Sequence, residues 1–89
     1  MPHVLLEYAF VPEMLERRTP YREAHIAHVM AERAKGTLIL SGPFTDEPPG
    51  AAFVFASSST AEVEAFVAAD PYVGAGLVTG WGVREWGAG

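Results

Sequence analysis

The 89-residue chain contains no cysteine, no asparagine and no glutamine. Without cysteine there are no disulfides, no thiolate nucleophile and no zinc-finger spacing. Asn and Gln are heat-labile and hot environments select against them, so a thermophilic source is one reading of their absence. A biased genome would leave the same mark, and a melting temperature in the ordinary mesophile range would dispose of the idea. Positive charge is scarce as well. Six Lys and Arg against eleven Asp and Glu give a formal net charge of -5, which disfavours nucleic acid and anionic membrane surfaces as partners. No apolar run approaches the length of a bilayer span, and the opening "MPHVLLEYAF" has neither the basic start nor the long apolar centre of a signal peptide, so a cytoplasmic location is expected.

What is present suffices for a packed core. The chain is 49% hydrophobic and 11% aromatic, too apolar for a disordered segment, and its length suits one domain over residues 1–89. "HVLLEYAFV", residues 3–11, carries apolar residues on both faces of a strand: Val4, Leu6, Tyr8 and Phe10 on one, Leu5 and Ala9 on the other. "PEMLERRTP" breaks the strand. Thr19 and Pro20 then read as an N-cap and first helical position for a helix through "YREAHIAHVMAERAK", which ends at Gly36 with Arg33 and Lys35 suiting the negative pole of its dipole. "TLILSG", 37–42, is a second strand and "AAFVFAS", 51–57, a third, separated by the turn-rich "PFTDEPPG". Ser59 and Glu62 form a capping-box pair before the second helix, "TAEVEAFVAAD", and "LVTGWGVREW" is a fourth strand in which Gly80 and Gly82 permit a bulge or a close backbone approach.

The order β-α-β-β-α-β predicts an α+β, ferredoxin-like fold: a four-stranded antiparallel sheet with both helices on one face. The opposite face would then be a bare apolar patch. A second copy of the same sheet is the simplest cover, so a homodimer through that face is expected, with further assembly left open.

Asp70 is the residue that stands out. Val63, Phe66 and Val67 form the buried stripe of the second helix, and Asp70, four residues after Phe66, extends it. Proline at 71 explains why the helix stops but not why it stops on an acid. Burial and the helix C-terminus would both raise the pKa of Asp70, so a buried carboxylate there calls for a cationic or hydrogen-bonding partner; the alternative is that it swings into water. On the first helix Ile26, Val29, Met30 and Arg33 define the expected inward stripe. Arg22 falls within that arc and His25 lies at its edge, whereas His28 is expected to project into solvent. Arg22 either binds an anion or snorkels over the core edge.

Three motifs in order, "R-x-x-H" at Arg22 and His25, "GTLILSGPF" with Gly42 and Pro43, and "DPYVGAGL" after the second helix, resemble the YCII-related family over nearly the whole chain. That resemblance implies a ferredoxin-like fold dimerising as an α/β barrel, similar to the muconolactone isomerase and monooxygenase barrels. It also implies an active site built on a shared His and Asp, here His25 and Asp70. The resemblance implies much less about the reaction, because the family is mostly proteins of unassigned activity together with a few linked to breakdown of chlorinated or hydroxylated aromatics.

An acid bonded to one imidazole nitrogen fixes the tautomer and makes the other nitrogen a proton acceptor, so proton transfer is the chemistry expected. Ser57, Ser58 and Ser59 read as strand end and helix cap, which leaves no acyl-enzyme serine. Tyr72 either donates a hydrogen bond to substrate or packs behind the helix, and packing is the favoured reading. A catalytic zinc needs three protein ligands; with His28 facing away and His3 isolated on a strand, no metal is expected. Gly74, Gly76, Gly80 and Gly82 follow a helix and precede a strand, so they are turn and bulge residues and not a dinucleotide fingerprint. The expected function is thus a small enzyme without a cofactor, acting on an aromatic or cyclic enol-type compound in a cleft: His25 is the base, Asp70 orients it and Arg22 neutralises an anionic substrate. The alternative is a non-catalytic binding or accessory module in which the same pair holds the helices together.

Overall fold

The computed structural model describes residues 3–56 and 59–87; Ser57 and Ser58, read above as strand end and cap, lie outside them. Four strands, β1 (His3–Phe10), β2 (Leu38–Pro43), β3 (Gly50–Ala56) and β4 (Val78–Trp86), form one antiparallel sheet in the order β2-β3-β1-β4. The helices are α1 (Met14–Arg17), α2 (Arg22–Ala34), α3 (Thr60–Ala69) and α4 (Pro71–Gly74). This is the ferredoxin-like βαββαβ arrangement, with two short helices added at the connections.

Alternation along the strands builds the core. Val4, Leu6 and Tyr8 of β1 turn inward with Phe53 and Phe55 of β3, and Val63, Phe66 and Val67 of α3 close over them. The Phe53 and Phe55 rings meet Phe66 edge-on at 5.6 and 5.3 Å, the geometry that aromatic quadrupoles favour. A smaller cluster of Met14, Tyr72 and Leu77 seals the end of the sheet near the site.

Local signals set the helix ends. The Ser59 hydroxyl accepts from the Glu62 backbone N–H at 3.1 Å and starts α3 as expected. Gly36, at φ 80°, takes the left-handed position after α2. Gly50 tolerates no side chain for a different reason: a Cβ there would run into the Tyr8 carbonyl and the Phe44 ring. The irregularity expected near Gly80 lies just before it, where Phe10 faces Val78 and Ala9 faces Gly80, leaving Thr79 as the extra residue.

Three expectations need correction. The helix anticipated from Pro20 begins at Arg22; Thr19–Tyr21 is a 3₁₀ turn, and Thr19 makes no side-chain cap. The segment read as a simple break contains α1, whose Met14 is buried against Tyr72 and Leu77. The face of α2 is also rotated. Ile26 and Met30 are 40% and 55% exposed, whereas His28 donates from Nε2 to the Phe66 carbonyl at 2.8 Å and stacks on the Phe66 ring. The helix turns its two histidines toward α3 because both find acceptors there, and burying them satisfied outweighs burying Met30 at an edge.

Candidate active site

Asp70 is where the chain changes direction. Its ψ of 123° is the extended value that a following proline imposes, so α3 ends and α4 starts on the same residue. The carboxylate caps α4: Oδ1 accepts from the Tyr72 backbone N–H at 3.0 Å, with Pro71 at the first helical position. At 1% exposure Asp70 is fully buried, so all its acceptor capacity must be met by protein groups.

It is met from three elements. The Nδ1 of His25, on the first turn of α2, lies 2.7 Å from Oδ1, and the Tyr8 hydroxyl of β1 donates to Oδ2 at 2.8 Å. Burial alone would push the Asp70 carboxyl up. The hydrogen bonds from His25 and the Tyr72 N–H, the His25 charge and the Tyr8 hydroxyl outweigh it and hold the group below the ordinary carboxylate range. The expectation of a raised pKa is therefore reversed, because the acid sits among donors and at the N-terminal end of a helix. Tyr8 shifts the other way: burial, the Asp70 charge and the bond to Asp70 push its phenol well above its ordinary value, so it remains a donor.

Donor counting then fixes the imidazole. An ionised carboxylate offers no proton, so the neutral His25 ring carries its hydrogen on Nδ1 and leaves an electron pair on Nε2. The Tyr72 ring lies flat against it, with centroids 3.8 Å apart and planes at 10°, while Phe10 meets Tyr72 edge-on at 6.1 Å. Asp70 holds the imidazole at one nitrogen and Tyr72 covers one face.

His25 lines a cavity of about 230 Å³ between α2 and the β2–β3 end of the sheet. Its walls are apolar, from Phe10, Met14, Val29 and Phe53, and its polar groups are few: Arg18, Arg22, His25, Ser41 and Tyr72. A single substituted ring matches such a volume, since a dry cavity of about 150 Å³ already admits benzene. Among the described residues neither Arg18 nor Arg22 has a carboxylate partner. Burial holds the Tyr72 phenol above its ordinary value, and both cations offset part of that rise.

All four residues singled out in the sequence thus come to one place: His25 and Asp70 in contact, Arg22 and Tyr72 on the cavity wall. Tyr72 packs, as favoured, but on His25 itself. Tyr8 and Arg18 were not foreseen. Tyr8 carried a signal, being a hydroxyl on the apolar inward face of β1 and so in need of a partner. Arg18 carried none, because its direction depends on the turn at Thr19–Tyr21. Among the described residues no group of three His, Cys, Asp or Glu is placed to hold a metal ion, and no helix is long and apolar enough to cross a membrane.

A family model for the YCII-related domain matches residues 1–87. The chain belongs to the YCII-related family. No curated protein matches this YCII-related chain. Among solved structures it is similar to 5-chloro-2-hydroxyhydroquinone dehydrochlorinase (TftG) from Burkholderia phenoliruptrix AC1100, in complex with 2,5-dihydroxybenzoquinone. That match has a TM-score of 0.79 at 28% identity and covers 98% of this chain and 95% of that one. An antibiotic biosynthesis monooxygenase aligns with a TM-score of 0.59 at 15% identity, covering 100% and 99% of the two chains. Protein Atu4242 from Agrobacterium tumefaciens aligns with a TM-score of 0.53 at 16% identity, covering 100% and 94%. The last two show the fold alone.

Proposed function

We propose that this YCII-related protein is a small cofactor-independent enzyme that moves a proton on a monocyclic aromatic or cyclic enol-type compound. His25 is the general base through Nε2, Asp70 orients it, Arg22 neutralises an anionic substrate and Tyr72 backs the imidazole. The observation that carries this reading is the 2.7 Å contact of His25 with a fully buried carboxylate, on a cavity that fits one ring. The likeness to a dehydrochlorinase bound to a hydroxyquinone supports the substrate class.

In this reading the ring binds with its acidic C–H or O–H toward Nε2 and its anionic oxygen toward the arginines. The proton passes to Nε2, the imidazolium is stabilised by Asp70, and the electron pair left behind delocalises into the ring or expels a leaving group. The working unit is a homodimer closed over the bare sheet face.

The test is a panel of hydroxylated quinols and quinones, 5-chloro-2-hydroxyhydroquinone among them, assayed for chloride release and for solvent-deuterium incorporation. Turnover that falls by about 10²–10⁴ in His25→Ala, with folding intact, supports the reading. Asp70 also ties β1, α2 and α4 together, which favours a second reading as a binding module. A panel without turnover, with His25→Ala lowering only thermal stability, would select that one.

A further inference from the structure

We propose that two copies of this chain register on one another through Glu7 and Arg84, each residue of one copy pairing with the other residue of its partner across the bare sheet face. This rests on the dimer proposed above and not on the chemistry of the cavity.

Strand alternation puts Leu5, Glu7 and Ala9 of β1 on the face away from the helices. In the β1–β4 ladder Leu5 faces Arg84 and Glu7 faces Gly82, so Glu7 and Arg84 stand on neighbouring strands, one residue pair apart along that face. Leu40, 63% exposed, and Trp86, 46% exposed, lie on the same side. Glu7 and Arg84 are the two fully charged residues that the strands present there, and among the described residues neither has an ion-pair partner.

Two further features point to a visiting cation and a close approach. Gly80 and Gly82 have no conformational need to be glycine: neither has a positive φ, and a Cβ at either would meet nothing within 4 Å. Their bare backbone forms the floor of a depression of about 650 Å³ beside the 44–50 loop, whose charged lining residues, Glu7, Asp46 and Glu47, are all acidic. Arg84 is the single Lys or Arg of the four strands. A second copy therefore brings the matching cation on the very face that must be covered.

Two-fold symmetry makes the pairing double. In an isologous contact, if Glu7 meets the partner's Arg84, then Arg84 meets the partner's Glu7 as well. Burying either charge unpaired is strongly unfavourable, and this register leaves neither so.

The experiment is a charge exchange read by sedimentation equilibrium, with circular dichroism to confirm folding. The parent is expected to be a dimer. Glu7→Arg and Arg84→Glu should each raise the dimer Kd about a hundredfold or more, because like charges then oppose each other twice. An equimolar mixture of the two variants should form a heterodimer close to parental affinity, since both of its pairs are again opposite in sign. Should either reversal prevent folding, Glu7→Gln and Arg84→Gln replace them, with an expected rise of about tenfold. A monomeric parent would overturn both the dimer and its register. A dimeric parent with variants within about threefold of it, or a mixture that does not associate, would overturn the register alone.

Discussion

Replacing Tyr8 with Phe removes one oxygen and one hydrogen bond while keeping the ring in the core. In the parent the Tyr8 hydroxyl donates to Asp70 Oδ2 at 2.8 Å, and Oδ2 has no other donor among the described residues. The variant therefore strands one oxygen of a buried carboxylate. Hydrogen bonds to charged groups contribute about 1.5–3 kcal/mol, and an unsatisfied buried acceptor costs a similar amount, so Tyr8→Phe should lose about 2 kcal/mol. For a domain of this size that is a fall in Tm of roughly 10 °C, measured by circular dichroism at one fixed protein concentration because dimerisation makes Tm concentration-dependent.

The pH dependence separates this from a packing defect. The folded-state pKa of Asp70 lies below its ordinary 3.8, so ionised Asp70 contributes stability that is present above that value and is lost as pH falls through the folded pKa. Taking away one of the donors that lower it shrinks that contribution. The gap between parent and variant should be full above about pH 5 and close as pH drops below the ordinary carboxylate value. A loss under about 0.5 kcal/mol, or a gap as wide in acid as at neutrality, would refute the reasoning, since a mere steric change is independent of pH.

Alkaline solution gives the opposite sign. The phenol of Tyr8 titrates well above its ordinary 10.0 in the folded chain, so parent stability should decline as pH rises past that value, and Tyr8→Phe should lose that part of the decline in urea titrations. Gly50→Ala should destabilise by about 1–3 kcal/mol in the same assay, because its Cβ meets the Tyr8 carbonyl and Phe44. Met30→Lys should change stability by less than about 0.5 kcal/mol despite replacing an apolar residue of the stripe expected to face inward, because Met30 is 55% exposed.

β1 was legible from partial alternation, a short-range signal that Val4, Leu6 and Tyr8 obey, and β3 from a short continuous apolar run that includes Phe53 and Phe55. Asp70 was legible for a related reason: it continues the stripe of Val63 and Phe66, which the fold buries. The rotation of α2 was not, since a helical wheel ranks Ile26 and Met30 above histidine, and nothing local says that Asp70 and the Phe66 carbonyl wait on α3 for His25 and His28. The α1 helix and the 3₁₀ turn escaped notice because segments of three or four residues are stabilised by what they pack on, here Tyr72 and Leu77 against Met14, and not by their own propensity. Arg18 was lost with them, since that turn carries it to the cavity.

A long-range ¹H–¹⁵N correlation spectrum of the His25 imidazole, recorded in mildly alkaline solution, tests the central claim most directly. The arrangement of Tyr8, Asp70 and Tyr72 requires a neutral ring protonated at Nδ1, with Nε2 showing the shift of a bare nitrogen and Asp70→Ala abolishing the preference. A ring protonated at Nε2, or one whose tautomers average freely in the parent, would contradict it.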